Sequence, residues 1–210
     1  MATLLSVNVG RPKPVDTGRR TVVTAIWKHP VEGPVKVRGV NLEGDEQADL
    51  TVHGGPEKAV YAYAIEETRS WEAELGRPLG PGAFGENLTT EGIDVSGALV
   101  GERWRIGTVL LEVVQPRLPC FKLALRMNDP AFVRRFAQAS RPGAYLRILE
   151  EGVLSAGDEI TLEPGSRPDH GVSMRLLSDA ILLDHELIPQ ALRAPQLIPS
   201  LRDSMIRIAE

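Results

Sequence analysis

The stretch VLLEVVQPRLPCFK, residues 109–122, joins a continuous apolar run to a loop that carries a cysteine. The apolar run follows a turn residue, Gly107, and a short apolar run bounded by turn residues predicts a buried β-strand. Further short runs of aliphatic and β-branched residues lie at 4–9, 21–27 and 145–149, separated by glycine and proline. Short strands at this frequency predict a compact barrel or sandwich.

The second half of the stretch contains Cys120, the only cysteine among the 210 residues. An internal disulfide is therefore impossible. Arg117 precedes Cys120 by three residues and Lys122 follows it by two, and positive neighbours favour the thiolate, which attacks electrophiles and binds soft metals. A free cysteine is also commonly a small buried hydrophobe, so this pattern alone leaves a reactive and a structural role open.

Composition restricts the classes of protein that fit the chain. Hydrophobic residues make up 42% and charged residues 25%, which favours a folded core over disorder. The net charge of −4 argues against a nucleic-acid partner, which would need a basic surface. The N-terminal residues lack the pattern of a signal peptide, and no apolar run is long enough to span a bilayer. We therefore expect no membrane association and a cytoplasmic location, where a lone cysteine stays reduced.

Helical patterns are fewer than strand patterns in the first 165 residues. One helix is predicted at 66–75, ended by Gly76. A second is predicted to begin at Asp129-Pro130, with aspartate as N-cap, proline at the first helical position, and an apolar face that includes Phe132 and Phe136.

The composition changes after residue 165 and becomes rich in leucine. Three short helices are predicted at 172–183, 185–193 and 199–209. Each is too short to be stable alone, so they must pack on each other, on the main domain or on a partner. We expect a main domain at residues 1–165 and a helical appendage at 166–210, with a homodimer as one use of that appendage.

A second chemically informative segment precedes residue 58. If residues 49–53 are extended, one face of the strand presents three polar side chains: Asp49, Thr51 and His53. Gly54-Gly55 permits close approach of a ligand to the backbone, and Lys58 adds a positive charge. A hairpin edge with a solvated polar face explains the same segment equally well.

Two other segments have weaker ligand-binding potential. The loop at 80–88 contains several glycines, whose exposed amides can bind a polar ligand edge, and Asn87 can read the edge of a heterocycle. Lys28 leaves a strand where prolines stiffen the chain, which suits a cation held near an anionic ligand. An ordinary loop and a solvated lysine are the simpler interpretations.

Taken together, these segments resemble the MOSC domain, named for the C-terminal part of molybdenum cofactor sulfurase. The resemblance covers residues 1–165 and includes the segments KHPVEGP (28–34), GDEQAD (44–49), HGGPEKAV (53–60), FGENL (84–88), QPRLPC (115–120) and GAYLRIL (143–149). The helical tail is similar to the three-helix appendage of the small stand-alone bacterial members. That subgroup is associated with detoxification of N-hydroxylated bases such as 6-hydroxylaminopurine.

The resemblance implies a β-rich α+β fold, a compact MOSC-type β-barrel with a few flanking helices, that holds a molybdenum-molybdopterin cofactor. The metal ligand and central catalytic residue would be Cys120, with His53 as proton donor and Asp49 orienting it. The implied cofactor-binding residues are Lys28, Gly54, Gly55, Lys58, Asn87, Arg117 and Lys122.

The implied activity is reductive cleavage of the N–O bond of a small N-hydroxylated substrate. A single cysteine cannot ligate an iron–sulfur cluster, and no flavin or haem signature is present, so a separate electron-transfer reductase would be the partner. Alternatives are a non-catalytic module that carries the cofactor or sulfur on Cys120, a metal-free hydrolase or transferase that pairs Cys120 with His53, and a purely structural protein.

Overall fold

A computed structural model describes residues 1–18, 20–48 and 54–210, and the structural statements below concern these residues. Its strands, in chain order, are β1 (Thr3–Val9), β2 (Lys13–Asp16), β3 (Thr21–Thr24), β4 (His29–Val31), β5 (Val35–Arg38), β6 (Asn41–Leu42), β7 (Val60–Ala64), β8 (Leu88–Glu91), β9 (Arg103–Ile106), β10 (Val109–Gln115), β11 (Ala144–Glu150), β12 (Gly152–Leu154) and β13 (Ile160–Leu162). The helices are α1 (Ile65–Leu75), α2 (Phe121–Met127), α3 (Phe132–Gln138), α4 (Met174–Leu182), α5 (Ile188–Ala191) and α6 (Pro199–Ala209).

Eight strands form one sheet, in the order β13-β9-β10-β11-β7-β8-β1-β4. Neighbouring strands are antiparallel except β7 and β8, which run parallel. A parallel pair needs a crossover connection, and α1 lies in the segment that supplies it. The strand predicted at the start of the 109–122 stretch is β10, whose seven residues are all buried.

The large sheet curls until β1 meets the segment that enters β13. The Leu4 amide donates to the Asp158 carbonyl at 2.9 Å, the Gly157 amide donates to the Leu4 carbonyl at 2.7 Å, and the Ile160 amide donates to the Ala2 carbonyl at 2.9 Å. These bonds pair backbone groups that would otherwise be exposed at a sheet edge, as closure does in barrels. The expected β-rich α+β fold is confirmed.

Two smaller sheets flank the large one. Strands β12, β5 and β6 form an antiparallel three-stranded sheet, and β2 and β3 form a separate hairpin. The hairpin exposes most of its residues, so it contributes little to the core.

The predicted helix at 66–75 is present as α1, and Gly76 ends it as expected. Gly76 adopts φ 63°, a left-handed conformation that suits glycine, and its amide donates to the Glu72 carbonyl at 2.9 Å. The prediction for the second helix was wrong at its start, because α3 begins at Phe132. The Asp129 carboxylate accepts the Ala131 amide at 2.9 Å, so Asp129-Pro130 forms a turn before the helix.

The core contains a long aliphatic cluster and a compact aromatic cluster. The aliphatic cluster fills the inside of the curled sheet and extends to α4, α5 and α6, through residues such as Leu177, Ile188 and Met205. The aromatic cluster contains Trp71, Phe132 and other rings, and it lies between α1, β7, α2 and α3. The tail helices therefore share one hydrophobic core with the large sheet, while the division at residue 165 stays a prediction.

None of the helices in the described part of the chain is long and apolar enough to cross a membrane.

Candidate functional site

Cys120 lies between β10 and α2, at the point where an extended loop becomes a helix. Its backbone is extended, with φ −135° and ψ 172°, and α2 begins at the next residue. The prolines at 116 and 119 keep the preceding loop extended, since proline fixes φ and disfavours helix in the residue before it. The thiol-bearing residue is partly exposed and lies in the wall of a pocket.

The pocket encloses about 720 Å³ of space not filled by atoms, part of it open to solvent. It brings together six of the sequence-predicted site residues: Lys28, Lys58, Asn87, Arg117, Cys120 and Lys122. These residues come from four separate segments of the chain. The grouping of one thiol with four cationic side chains suits a ligand that is anionic and carries a soft metal.

Arg117 is a buried cation with incomplete hydrogen bonding. It is only 5% exposed, and its guanidinium lies over the rings of Tyr61 at 5.4 Å and Phe136 at 5.5 Å. Its Nη1 atom is buried and has no hydrogen-bond partner among the described residues. Burial lowers the pKa of Arg117, but the nearby Tyr61, Tyr145 and Cys120 groups outweigh it and raise the pKa overall. The guanidinium therefore stays charged beside the thiol.

Lys28 is held in the pocket wall by Asp45. The Lys28 ammonium donates to Asp45 Oδ1, and only 10% of the Lys28 side chain is exposed. Asp45 also accepts the Gly10 amide at 2.7 Å and the Asn87 amide Nδ2 at 2.9 Å. Burial lowers the pKa of Lys28 despite the opposing charges of Asp45 and Glu86. The network fixes the position of Lys28.

The side chain of Asn87 has several partners within the protein. Besides Asp45, it donates to the Asn8 carbonyl at 3.3 Å, and its Oδ1 accepts the Tyr61 amide at 3.1 Å. This bonding favours a role in which Asn87 holds Asp45 and β7 in place. The predicted contact between Asn87 and a cofactor stays a prediction.

The glycine-rich loop at 80–88 was predicted to offer its amides to a ligand, but two of them donate hydrogen bonds within the loop. The Gly82 amide donates to Glu86 at 2.6 Å and the Phe84 amide donates to Glu86 at 3.0 Å, so a carboxylate of the same loop occupies them. A Cβ at Gly82 would lie 2.6 Å from the Lys28 carbonyl, and one at Gly85 would lie 2.8 Å from Ile26 Cγ1. Glycine is needed here because the loop packs closely against the segment that carries Lys28.

Gln47 connects the segments on either side of residues 49–53. Its Nε2 donates to the Val40 and Lys58 carbonyls, each at 3.3 Å, and its Oε1 accepts the Gly55 amide at 2.9 Å. Gly55 has φ 94°, which favours glycine at this position. Neither Gly54 nor Gly55 is among the residues that line the pocket.

The predicted catalytic residues Asp49 and His53 lie outside the described residues. Within the described ranges, no group of three His, Cys, Asp or Glu side chains is arranged to hold a metal ion.

Sequence reasoning missed Asp45, Gln47, Tyr61 and Tyr145 as pocket residues. Asp45 and Gln47 lie in the GDEQAD segment and Tyr145 lies in GAYLRIL, so the resemblance marked both segments without giving these residues a role. Burial raises the pKa of Tyr61 and of Tyr145, which keeps both phenols protonated at neutral pH. Tyr61 donates to the Pro142 carbonyl at 2.9 Å.

The fold and this pocket define a MOSC domain protein. The MOSC domain pattern matches residues 49–161, which is more than half of the 210-residue chain, and the chain belongs to this family.

Among similar proteins, the chain is 40% identical over 173 residues to the uncharacterized protein YflK of Bacillus subtilis (strain 168), covering 82% of this chain and 77% of YflK. It is 38% identical over 165 residues to a protein named "Reductase" from Gibberella moniliformis (strain M3125 / FGSC 7600), covering 76% of this chain but only 29% of that protein. The crystal structure of YiiM from Geobacillus stearothermophilus matches with a TM-score of 0.80 at 31% identity, over 99% of this chain and 98% of YiiM.

Proposed function

We propose that this protein binds a molybdenum-molybdopterin cofactor and reduces the N–O bond of N-hydroxylated compounds such as hydroxylaminopurines. The reaction consumes two electrons and two protons: R–NHOH + 2 e⁻ + 2 H⁺ gives R–NH₂ + H₂O. The proposal is carried by one observation, the pocket that gathers Cys120 with Arg117, Lys122, Lys58 and Lys28.

The residues present fit the cofactor. A cysteine sulfur is a soft ligand suited to molybdenum, and Arg117 Nη1 is a buried donor without a partner among the described residues. When bound, the cofactor would supply a metal centre able to exchange two electrons with substrate.

The side chains of this protein would bind and orient the cofactor. Cys120 would hold the metal through sulfur, while Arg117, Lys122 and Lys58 would meet the pterin phosphate through charge-assisted hydrogen bonds. Lys28 is already paired with Asp45, so its contribution would be a fixed cation in the wall. The Gly54-Gly55 backbone would approach the pterin from the neighbouring segment.

His53 is the proposed proton donor, and Asp49 is proposed to orient its ring. Histidine is suited to this role because its charge changes near neutral pH. The test compares the pH–rate profiles of His53→Gln and His29→Gln, since His29 is an exposed histidine in β4 that does not line the pocket. We expect the His53 variant to lose the limb of the profile near neutral pH and the His29 variant to keep the wild-type profile. Identical profiles for the wild type and His53→Gln would remove His53 from the reaction.

Electrons would come from a separate protein. The chain has no sequence signature for a flavin, a haem or an iron–sulfur cluster. The similar protein from Gibberella moniliformis carries the name "Reductase", and the part similar to this chain is 29% of its length. That name supports a redox role for this chain.

The first experiment measures molybdenum and pterin in protein produced in a host that makes the cofactor. We expect metal and pterin close to one per chain in the wild type and a loss of both in Cys120→Ala. The control is Ser70→Ala, a change of similar size on an exposed part of α1, which should retain both. Absence of molybdenum from the wild type, despite a proven cofactor supply, would overturn the proposal and favour thiol chemistry or a structural role.

The second experiment measures turnover of 6-hydroxylaminopurine by loaded protein with a reduced viologen as electron donor. Formation of adenine with consumption of two electrons per molecule supports the reductase. Full cofactor content without turnover would instead support the alternative, a non-catalytic carrier of the cofactor or of sulfur on Cys120.

A further inference from the structure

The β2–β3 hairpin is strongly basic in a chain that is acidic overall. Residues 13–24 contain three basic residues and one acidic residue, whereas the whole chain has a net charge of −4. Lys13 and Arg20 are exposed, and among the described residues neither side chain pairs with a carboxylate. Their side chains instead lie over aromatic rings, Lys13 at 4.8 Å from the ring centre of Trp27 and Arg20 at 5.9 Å from that of Phe121. Contacts with rings leave the positive charges unneutralised.

This hairpin lies beside the mouth of the pocket. Thr24 ends β3, and both Thr24 and the two residues that follow it line the pocket. Phe121, which Arg20 contacts, directly follows Cys120 and is 44% exposed. The result is an exposed apolar ring next to the thiol, beside two cations that pair with no carboxylate in the described part of the chain.

The surrounding acidic residues offset only part of this charge. Asp16, the acidic residue within the hairpin, keeps its negative charge while it accepts the Gly18 amide at 2.8 Å. Glu46 lies 3.8 Å from Arg11, and both of those side chains are more than half exposed. The positive potential of the surface therefore depends on Lys13 and Arg20, and Arg11 contributes less.

We propose that the β2–β3 hairpin and Phe121 form the docking surface for an acidic one-electron carrier protein, which delivers electrons at the mouth of the Cys120 pocket. The inference rests on the proposed function. Two reduced carriers would each give one electron, and these two electrons, with two protons taken up from solvent through the proposed donor His53, reduce one N-hydroxylated substrate to the amine and water. Opposite charges steer such encounters and raise their association rates, while a small apolar centre allows a short-lived contact. Transient redox complexes have small interfaces, which suits a short hairpin and one exposed ring.

The test measures binding of a purified acidic [2Fe–2S] ferredoxin by calorimetry at low salt, with no need for cofactor or turnover. Lys13→Glu/Arg20→Glu reverses the charge of the hairpin. The matched control is Lys36→Glu/Arg38→Glu, which makes the same change in net charge at two exposed positions of β5, away from the pocket lining. We expect at least a tenfold weaker affinity for the hairpin variant, a change within twofold for the control, and weaker wild-type binding as salt increases.

A milder variant, Lys13→Gln/Arg20→Gln, keeps the test valid if charge reversal disturbs the hairpin, and its affinity should be intermediate. Absence of ferredoxin binding to the wild type, or equal weakening in the control, would overturn the docking surface. Viologen-driven turnover of loaded protein should not fall in any of these variants, because a viologen does not need the surface. Absence of viologen-driven turnover in the wild type would count against the proposed function. If the hairpin variants instead bind ferredoxin as the wild type does but show a higher KM for an anionic substrate, the surface binds the substrate.

Discussion

Asp45 and Glu67 are both buried carboxyl residues, but their hydrogen bonding differs. Asp45, 6% exposed at the pocket, accepts the Gly10 amide and the Asn87 amide and pairs with the Lys28 ammonium. Glu67, 9% exposed in α1, has an Oε2 atom without a hydrogen-bond partner in the described part of the chain. Burial raises the pKa of Glu67 to about 7, although a hydrogen bond from Ser96 opposes the shift.

The difference shows that the supply of donors, more than the depth of burial, decides what a buried carboxylate does. Donors aimed at Asp45 stabilise a fixed ion pair that organises the pocket wall. Because few donors stabilise the charged form of Glu67, its carboxyl group gains or loses a proton near neutral pH. Breaking the Lys28–Asp45 pair should therefore lower the unfolding free energy at neutral pH, and Glu67 should make the unfolding free energy depend on pH.

The largest effect is expected from Asp45→Ala. The substitution leaves the Lys28 ammonium buried without its counter-ion and the amides of Gly10 and Asn87 without their acceptor. Breaking a buried pair in this way costs about 3–5 kcal/mol, and urea unfolding at pH 7 measures the loss. The control is Glu46→Ala, since that neighbouring side chain is 58% exposed and its loss should change stability by about 0.5 kcal/mol or less. A loss below about 1 kcal/mol for Asp45→Ala would mean that the pocket network is not held as a buried pair.

An intermediate effect is expected from Glu67→Gln, and its size depends on pH. The pKa of Glu67 rises from its ordinary value of 4.5 in the unfolded chain to about 7 in the folded protein. Between these values the folded protein binds more protons than the unfolded chain, so the unfolding free energy falls as pH rises through this window. The full penalty, present above pH 7, is roughly 3 kcal/mol.

Unfolding measurements at pH 5 and pH 8 test this expectation. Glutamine cannot ionise, so Glu67→Gln should lose most of the decrease that the wild type shows between the two values. Glu66→Gln changes the adjacent exposed residue of α1 and should leave the wild-type pH dependence in place. Equal pH dependence in the wild type and Glu67→Gln would show that another group is responsible.

Separation along the chain explains which parts of the site could be predicted from the sequence. Cys120, Arg117 and Lys122 are close in the chain, so their grouping follows from local spacing and needs only the loop after β10. Strands such as β10 and the end of α1 at Gly76 were also predictable, because apolar runs and glycine caps are local signals.

Asp45 could not be assigned a role in this way. Its partners Lys28 and Asn87 lie 17 and 42 residues away, and only the curled sheet brings the three together. The glycine loop at 80–88 gave an incomplete prediction for a similar reason. Its composition indicates exposed amides, but the sequence does not show that Glu86 of the same loop turns inward to accept two of them.

The smallest effect is expected at Arg117. Like Asp45 and Glu67 it is a buried ionisable residue, and its Nη1 atom has no partner among the described residues. A guanidinium cannot lose its proton in a protein, so it stays charged where Glu67 would become neutral. Arg117 lies near Cys120, and a neighbouring positive charge favours the thiolate over the thiol. Arg117→Met should therefore slow alkylation of Cys120 by iodoacetamide at pH 7 by about tenfold, which corresponds to about 1.4 kcal/mol.

Arg126→Met provides the control, because Arg126 is a half-buried arginine in α2 that does not line the pocket. Its alkylation rate should stay within twofold of the wild type, and Arg117→Lys should recover part of the lost rate by restoring a positive charge. Since Cys120 is the only thiol in the chain, each rate reports on that residue alone. Equal rates for Arg117→Met and the wild type would mean that the buried guanidinium supports the aromatic packing of Tyr61 and Phe136 and does not stabilise the Cys120 thiolate.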